Sequence, residues 1–370
     1  MPRYERLNAQ ADQLEAVLMS HKIHATIEGG TVTPRLVRFR LLPGAGVKIA
    51  QIARLSEELA LALGSVSCRI VRRGEQVHLE FPRSDKRVVR LAAILEQTRP
   101  RGDATVALGL DADGAPLLMR LSSPDVAHVL ISGTTGSGKT ALAQTMIASL
   151  LETHSVSELG LVLIDPKGRG YAPFAAAPHL LLPVATTPDT ALDALTWLVE
   201  TMQRRDQEQI TLPRIVAFID ELADLMLVQG RTVELALTRL VQRGREAGVH
   251  VVACTQKPSA SVIGSLVKSN FPVRIVGRVT SPEDARVASG LAGSGAEQLA
   301  GRGDFLVVVH GLAHRLQAAY IAPEEMALLM ARLSGQLVEP PPAPRSLSRP
   351  TPRFGVRDFL TAQLRRVAGE

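Results

Sequence analysis

The sequence has 370 residues, 46% of them hydrophobic, which is enough for a sizeable core and for a second, smaller folded unit. Its formal net charge of +6 fits a polyanionic partner, although a solvated basic surface would give the same excess. The two cysteines, Cys68 and Cys254, are far apart, so the composition argues against a disulfide framework or a zinc site and favours a reducing cytoplasm.

The first hundred residues mix helical and alternating patterns, which predicts a small α+β domain over residues 1–100. No chemistry is evident in this part of the sequence. The predicted elements are a helix over 5–21, strands over 23–27 and 36–42, a helix over 49–63, and paired strands over 68–71 and 77–81.

From residue 101 the pattern changes to apolar runs that alternate with helical stretches. Asp111-Ala112-Asp113-Gly114 signals a hairpin turn at the start of this region. Near-continuous apolar strands separated by helices predict a parallel sheet covered on both faces, and therefore an α/β domain over residues 101–338. The predicted strands are 128–131, 159–164, 215–219, 249–254, 273–279 and 305–309.

The C-terminal segment 339–370 opens with a proline-rich run that predicts a stiff linker followed by a short tail. The tail is a candidate contact for a membrane or recombinase partner, and a frayed end is the alternative. No stretch of the sequence approaches the roughly 18 consecutive apolar residues of a membrane span, and the N-terminus lacks the apolar core of a secretion signal. We therefore expect a cytoplasmic chain without a membrane span of its own.

A glycine-rich segment follows the apolar run 129–131 after a single serine and reads G-T-T-G-S-G-K-T. A strand, this segment and a helix form the context of a P-loop, in which backbone N–H groups cradle phosphate oxygens and the lysine reaches the terminal phosphates. The sequence therefore predicts ATP binding by Gly133, Thr134, Thr135, Gly136, Ser137, Gly138, Lys139, Thr140 and Ala141.

Two adjacent carboxylates, Asp220 and Glu221, follow the apolar strand 215–219. We expect Asp220, with the hydroxyl of Thr140, to hold Mg²⁺. Glu221 could accept a proton from the attacking water, which favours a hydrolysing ATPase over a kinase. The next strand delivers Gln256, whose amide could lie against the γ-phosphate and report its loss; the alternative is an ordinary helix N-cap region.

An ordered series of motifs makes the chain resemble the FtsK/SpoIIIE-type double-stranded DNA translocases. The P-loop alone would be unspecific, but the whole set occurs in family order over roughly residues 10–320. The matching segments are GTTGSGKT (133–140), IDPK (164–167), PHLL (178–181), ETMQRR (200–205), IDELADLM (219–226), RGREAGVH (243–250), TQKPS (255–259), KSNFP (268–272) and GRGD (301–304).

The resemblance implies a RecA-like motor domain preceded by the family's α domain, in a homo-hexameric ring around duplex DNA. It implies that Arg245 is an arginine finger that reaches the γ-phosphate of a neighbouring subunit; a salt-bridged surface arginine is the alternative. It also implies that Lys257, Lys268 and Arg286 contact the DNA backbone, as a motor indifferent to sequence requires. Each of these three could instead be an ordinary solvated charge.

Three departures limit the resemblance. The stretch between Arg205 and Leu212 is short where many family members carry an insertion, Pro282 lies in a region where the family often has a lysine, and the tail is too short for the family's winged-helix domain. The alternative functions are a related ATPase that powers conjugative or secretion transfer of a protein or nucleoprotein, and a nucleotide-gated adaptor that does not act as a motor.

Overall fold

A computed structural model of the chain describes residues 3–33, 36–73, 76–83, 88–100, 102–256 and 270–335. The chain divides into two compact units, Met1–Val88 and Val89–Glu370. The predicted linker and tail over 339–370 lie outside the described residues. In the part of the chain described here, no helix is both long and apolar enough to cross a membrane.

The first unit is an antiparallel four-stranded sheet, in the order β1-β2-β4-β3, with helices packed on it. The predicted helix over 49–63 is two short helices, separated by a turn that keeps Ile52, Leu55 and Leu59 buried together. The elements are α1 (Arg3–Ser20), β1 (Ala25–Val32), β2 (Leu36–Pro43), α2 (Ile49–Ala53), α3 (Ser56–Ala62), β3 (Arg69–Arg73) and β4 (Gln76–Pro82).

The second unit contains a nine-stranded sheet in the order β6-β5-β13-β12-β11-β7-β10-β9-β8. The helix over 91–98 belongs to the second unit, whereas the predicted domain boundary at residue 100 would assign this helix to the first unit. The elements are α4 (Leu91–Thr98), β5 (Thr105–Asp111), β6 (Pro116–Arg120), β7 (Val129–Ser132), α5 (Lys139–Thr153), β8 (Leu159–Ile164), α6 (Pro188–Glu208), β9 (Arg214–Ile219), α7 (Leu222–Arg243), β10 (Val249–Thr255), β11 (Val273–Val276), α8 (Pro282–Ser289), β12 (Asp304–Val309), β13 (Leu312–Ala318) and α9 (Pro323–Leu333).

The sheet is mixed rather than wholly parallel. Strands β11, β7, β10, β9 and β8 are parallel, whereas β12, β13, β5 and β6 pair antiparallel. The reason is a two-residue turn at His310-Gly311, where both residues have positive φ, so that β13 returns directly along β12. A connection this short cannot join parallel strands. The predicted hairpin at Asp111–Gly114 is present between β5 and β6.

The parallel strands position the chemistry of the second unit. Their carboxyl ends lie at one edge of the sheet, which is where open α/β sheets bind ligands. The side chains that follow β7, β10, β9 and β8, four neighbouring strands, therefore converge at that edge.

Candidate nucleotide-binding site

The glycine-rich loop runs from the end of β7 into α5, as the sequence predicts. Gly138, the residue before the helix, has φ +102, and a Cβ there would lie 2.9 Å from the backbone nitrogen of Gly303. Only glycine meets both demands, because other residues rarely adopt this φ and carry the Cβ that would clash. A helix N-terminus with loop N–H groups beside it favours an anion in general, so we expect phosphate to bind here.

Lys139, the first residue of α5, is buried within this loop. Its Nζ donates hydrogen bonds to the backbone oxygens of Gly133 (2.7 Å) and Thr134 (3.2 Å). Burial lowers the pKa of Lys139, and the nearby carboxylates oppose that shift. The lysine is thus a buried cation held beside the loop that is expected to surround phosphate.

Thr140 and Asp220 meet at the carboxyl ends of β7 and β9. The Thr140 Oγ1 donates a 3.0 Å hydrogen bond to Asp220 Oδ1, and burial raises the pKa of Asp220. A hydroxyl and a carboxylate oxygen are hard donors that suit Mg²⁺, which typically takes one or two protein ligands and completes its shell with phosphate and water. The residues present therefore fit the metal assigned to them from the sequence.

Glu221 is connected to the P-loop through Gln256, which follows β10. The Gln256 backbone N–H donates to Glu221 Oε1 (3.1 Å), and its side-chain Oε1 accepts from the hydroxyl of Thr135 (2.9 Å). Glu221 is only 4% exposed, and burial raises its pKa, while the N–H of Gln256 works in the opposite direction. Gln256 therefore bridges the acidic residue and the phosphate loop within one subunit.

Asp165 is a buried carboxylate at this edge to which the sequence analysis gave no role. Its Oδ2 accepts from the backbone N–H groups of Gly170 (2.7 Å) and Tyr171 (2.9 Å), and among the described residues Oδ1 has no hydrogen-bond partner. The loop that it anchors brings Gly170 against both Thr140 and Asp220. The signal that could have found Asp165 was its position directly after the buried strand β8.

The segment 301–303 supports the P-loop from the other side. The backbone N–H groups of Arg302 and Gly303 donate to the carbonyl oxygens of Gly136 (3.1 Å) and Ser137 (2.9 Å). Both residues have positive φ, so consecutive N–H groups face the loop. This contact joins parts of the chain that are far apart in sequence, and no local pattern reveals it.

The predicted arginine finger and the predicted DNA-contacting residues lie apart from the nucleotide loop or outside the described residues. Arg245 is exposed in the turn between α7 and β10, at the edge of the sheet opposite the P-loop. Arg286 is exposed on α8, where its Nη2 lies 2.6 Å from Glu283 Oε1. Lys257 and Lys268 lie outside the described residues. Lys167, which belongs to the IDPK motif, pairs with Asp224 at 2.9 Å.

Comparison with known proteins places these features in a family. The model of the FtsK/SpoIIIE family matches residues 89–211 and 205–260, and the model of the FtsK alpha domain matches residues 2–83. The DNA translocase FtsK of Mycobacterium leprae (strain TN) is 34% identical over 367 residues, which cover 89% of this chain and 43% of that protein. The DNA translocase SftA of Bacillus subtilis (strain 168) is 34% identical over 360 residues, covering 90% of this chain and 37% of that protein. The chain thus spans less than half the length of these relatives.

Solved structures show the same fold at lower identity. The pCW3 conjugation coupling protein TcpA, in its monomer form with ATPγS, superposes with a TM-score of 0.61 at 18% identity over 88% of this chain and 98% of that chain. The cytoplasmic domain of the type VII secretion ATPase EccC of Thermomonospora curvata gives a TM-score of 0.58 at 23% identity over 69% and 35%. The predicted RecA-like α/β fold with a smaller N-terminal α+β domain is confirmed.

Proposed function

Because the chain belongs to the FtsK/SpoIIIE family, we propose that it is an ATP-driven motor that moves double-stranded DNA. The observation that carries this proposal is the continuous set of contacts from Thr140 and Asp220 through Glu221 and Gln256 to Thr135. These contacts join a nucleotide-binding loop to a buried carboxylate suited to hydrolysis. The protein works in the cytoplasm as a homo-hexameric ring with duplex DNA in its centre.

The reaction is the hydrolysis of ATP to ADP and phosphate. The loop N–H groups and Lys139 hold the phosphates, and Glu221 accepts a proton from the water that attacks the γ-phosphate. Thr140 and Asp220 would hold Mg²⁺, which would supply positive charge to offset that of the phosphate oxygens. The raised pKa of Glu221 makes this carboxylate a better proton acceptor than an ordinary surface glutamate.

Gln256 couples the chemical step to the DNA-contacting residues. Its side chain touches Thr135 of the P-loop and its backbone touches Glu221, and it immediately precedes Lys257. A change at the γ-phosphate position therefore alters the start of the segment that carries Lys257 and Lys268. We propose that these two lysines and Arg286 hold the DNA phosphates, so that the motor moves along any sequence.

The test is ATP hydrolysis measured with and without duplex DNA over a range of salt concentrations. A motor that grips phosphates should be stimulated by duplex, and the stimulation should fall as salt rises, because each phosphate contact releases counterions. Glu221→Gln should abolish turnover while retaining ATP binding, whereas Glu208→Gln, an exposed residue at the end of α6, should behave like wild type.

A single hydrolysis rate that ignores duplex would overturn the proposal. Stimulation by a partner protein and not by naked DNA would favour the alternative of protein or nucleoprotein transfer. Little turnover in either wild type or Glu221→Gln would favour an adaptor. Electron micrographs with duplex and an ATP analogue test the ring itself, and monomers under all conditions would exclude it.

A further inference from the structure

The turn that carries Arg245 has a tightly fixed backbone. It lies over residues 244–248, where the Gly248 N–H donates to Arg245 O (3.1 Å) and the Val249 N–H donates to Gly244 O (2.7 Å). Gly248 has φ +67, and a Cβ there would lie 2.3 Å from the carbonyl oxygen of Thr211. The turn therefore packs directly against the segment 209–213 that precedes β9, and only glycine permits this approach.

A buried arginine joins the same two segments. Arg205, on the last turn of α6, is 8% exposed, and its Nη1 donates to the carbonyl oxygens of Pro213 (2.8 Å) and Ala247 (3.4 Å). Among the described residues, no carboxylate forms an ion pair with Arg205. Burying a charge is costly unless it is well hydrogen-bonded, so this guanidinium is held by backbone oxygens rather than by an opposite charge.

Arg245 itself stands in contrast to its neighbours. It is exposed, and within the described part of the chain its side chain makes no hydrogen bond or ion pair, whereas Arg243, two residues earlier, pairs with Asp206 of α6. The backbone of the turn is thus fixed by its contacts with Arg205 and Thr211. The Arg245 side chain remains available to another molecule.

We propose that Arg205 is a positioning residue that holds the Arg245 turn in the geometry needed to reach a neighbouring subunit's γ-phosphate. This inference rests on the proposed function, because it takes Arg245 as the arginine finger. The contact to Ala247 fixes the turn two residues beyond Arg245, and the contact to Pro213 fixes the segment behind it. Catalytic groups act only when they are held close to the productive geometry, and a misplacement of about 1 Å can cost roughly 100-fold in rate.

The test compares Arg205→Met and Arg205→Lys with Arg204→Met, an exposed arginine one residue earlier that serves as the matched control. Arg205→Met should lower kcat of the duplex-stimulated ATPase by roughly 10- to 100-fold. The KM and the dissociation constant for ATP should change little, because the turn lies at the opposite edge of the subunit from its own P-loop. Arg205→Lys should recover part of the rate, since an ammonium can donate to one of the two carbonyls, and Arg204→Met should match wild type.

A double-mutant cycle with Arg245→Ala separates positioning from general damage to the fold. If Arg205 acts through Arg245, then Arg205→Met should cause little further loss in the Arg245→Ala background. An equal proportional loss in both backgrounds, or a parallel rise in KM, would overturn the inference and leave the proposed function intact. If Arg245→Ala has no effect on its own, the arginine-finger assignment fails instead.

A second variant keeps the test decisive if Arg205→Met does not fold. Gly248→Ala disturbs the same turn from the other side, through the contact with Thr211. It should produce the same selective fall in kcat and the same insensitivity in the Arg245→Ala background. A normal kcat in a folded Gly248→Ala protein would show that the turn geometry is unimportant and would overturn the inference.

Discussion

Gly170 lies against both of the expected Mg²⁺ ligands. A Cβ at this position would lie 3.0 Å from Thr140 Cγ2 and 3.2 Å from Asp220 Cγ. The loop that carries Gly170 is in turn anchored on the buried carboxylate of Asp165. The room for the threonine and the aspartate therefore depends on the absence of a side chain at position 170.

We predict that Gly170→Ala will weaken the affinity for Mg²⁺ without unfolding the protein. Overpacking by one methyl group typically costs about 1–3 kcal/mol, and here the crowded atoms belong to the expected ligands. The half-saturating Mg²⁺ concentration for ATP hydrolysis should rise roughly tenfold, within the range that such a cost implies. A titration of the ATPase rate with Mg²⁺ measures this half-saturating concentration.

The matched control is Gly230→Ala, the same substitution within helix α7, where a new Cβ would meet no atom within 4 Å. This variant should keep the wild-type Mg²⁺ requirement. If both variants behave alike, the contact between Gly170 and the two ligands has no influence on metal binding.

Neighbouring strands β7 and β10 are linked by two buried histidines at the end away from the P-loop. His128 Nδ1 accepts from the Val251 N–H (3.1 Å), and His250 Nδ1 donates to Ala127 O (3.1 Å). Burial is the main reason that the pKa of His128 is lowered to about 3 and that of His250 to about 4. Charge repulsion from His250 lowers the pKa of His128 further, and repulsion from Arg214 lowers that of His250. Both rings are therefore neutral in the folded protein at physiological pH.

This pair predicts loss of stability in mild acid. An unfolded histidine takes up a proton near pH 6.5, whereas the folded rings stay neutral down to about pH 4. Their contribution is thus fully present above pH 6.5 and is lost as the pH falls toward 4. Each histidine should contribute a slope of about 1.4 kcal/mol per pH unit to the free energy of unfolding. Urea unfolding between pH 6.5 and 4.5 measures the slope.

His128→Asn should reduce that slope by roughly 1.4 kcal/mol per pH unit, because it removes one group that takes up a proton on unfolding. The fold should tolerate the change, since the amide oxygen can still accept from the Val251 N–H. His310→Asn is the control, since the His310 ring is exposed to water in the folded protein. An unchanged slope in His128→Asn would show that this ring is not held neutral by the fold.

The start of β12 is held by a two-point ion pair that also fixes the segment behind the P-loop. Arg315 on β13 donates from Nε to Asp304 Oδ1 (2.9 Å) and from Nη2 to Oδ2 (2.8 Å), and Asp304 is 2% exposed. Asp304 directly follows residues 302 and 303, whose N–H groups donate to the P-loop carbonyls. The pair therefore connects sheet packing to the shape of the phosphate-binding loop.

We predict that Arg315→Met will lower the free energy of unfolding by about 3–5 kcal/mol, since it removes the charged partner of a buried carboxylate. The Ala300 N–H still donates to Asp304 Oδ2 (2.9 Å), but it brings no opposite charge. The dissociation constant for a fluorescent ATP analogue should also rise, because the segment 301–303 loses its anchor. Arg332→Met removes an exposed arginine paired with Glu152 and should cost at most about 1 kcal/mol with unchanged nucleotide affinity. A normal affinity in Arg315→Met would show that the P-loop keeps its shape without this support.

The elements that the sequence predicts well are those whose signal is local. Buried parallel strands read as apolar runs, and the P-loop and Asp220-Glu221 follow two of them directly. Strand β13 escaped prediction because it reads LAHRLQA and is only partly buried. The support of the P-loop by residues 302 and 303, the N–H groups that donate to Asp165 and the two carbonyls bound by Arg205 all depend on contacts across the fold. No local sequence pattern encodes such contacts.

Across the second unit, the expected nucleotide site and Arg245 lie at opposite edges of the same sheet. Strand β10 runs from Val249 to Thr255, and Thr255 pairs with Ser132, the residue before the P-loop. At about 3.3 Å per residue, the strand separates the two edges by roughly 20 Å, farther than an arginine side chain extends. If Arg245 acts on a γ-phosphate, that phosphate must belong to another copy of the chain. A head-to-tail contact of this kind generates a ring where the rotation between copies closes.

We therefore predict that two inactive variants will restore activity to each other when mixed. Glu221→Gln destroys a subunit's own site and keeps its arginine, whereas Arg245→Ala keeps the site and lacks the arginine. In mixed rings an Arg245→Ala subunit beside a Glu221→Gln subunit has a complete site, which random assembly at equal amounts would give for about one site in four. The rate of ATP hydrolysis by the mixture should exceed the rate of either variant alone.

The control replaces Glu221→Gln with the double variant Glu221→Gln/Arg245→Ala, which supplies no arginine at position 245 and should restore no activity. If mixing rings that exchange subunits gives no gain over this control, Arg245 does not serve a neighbour.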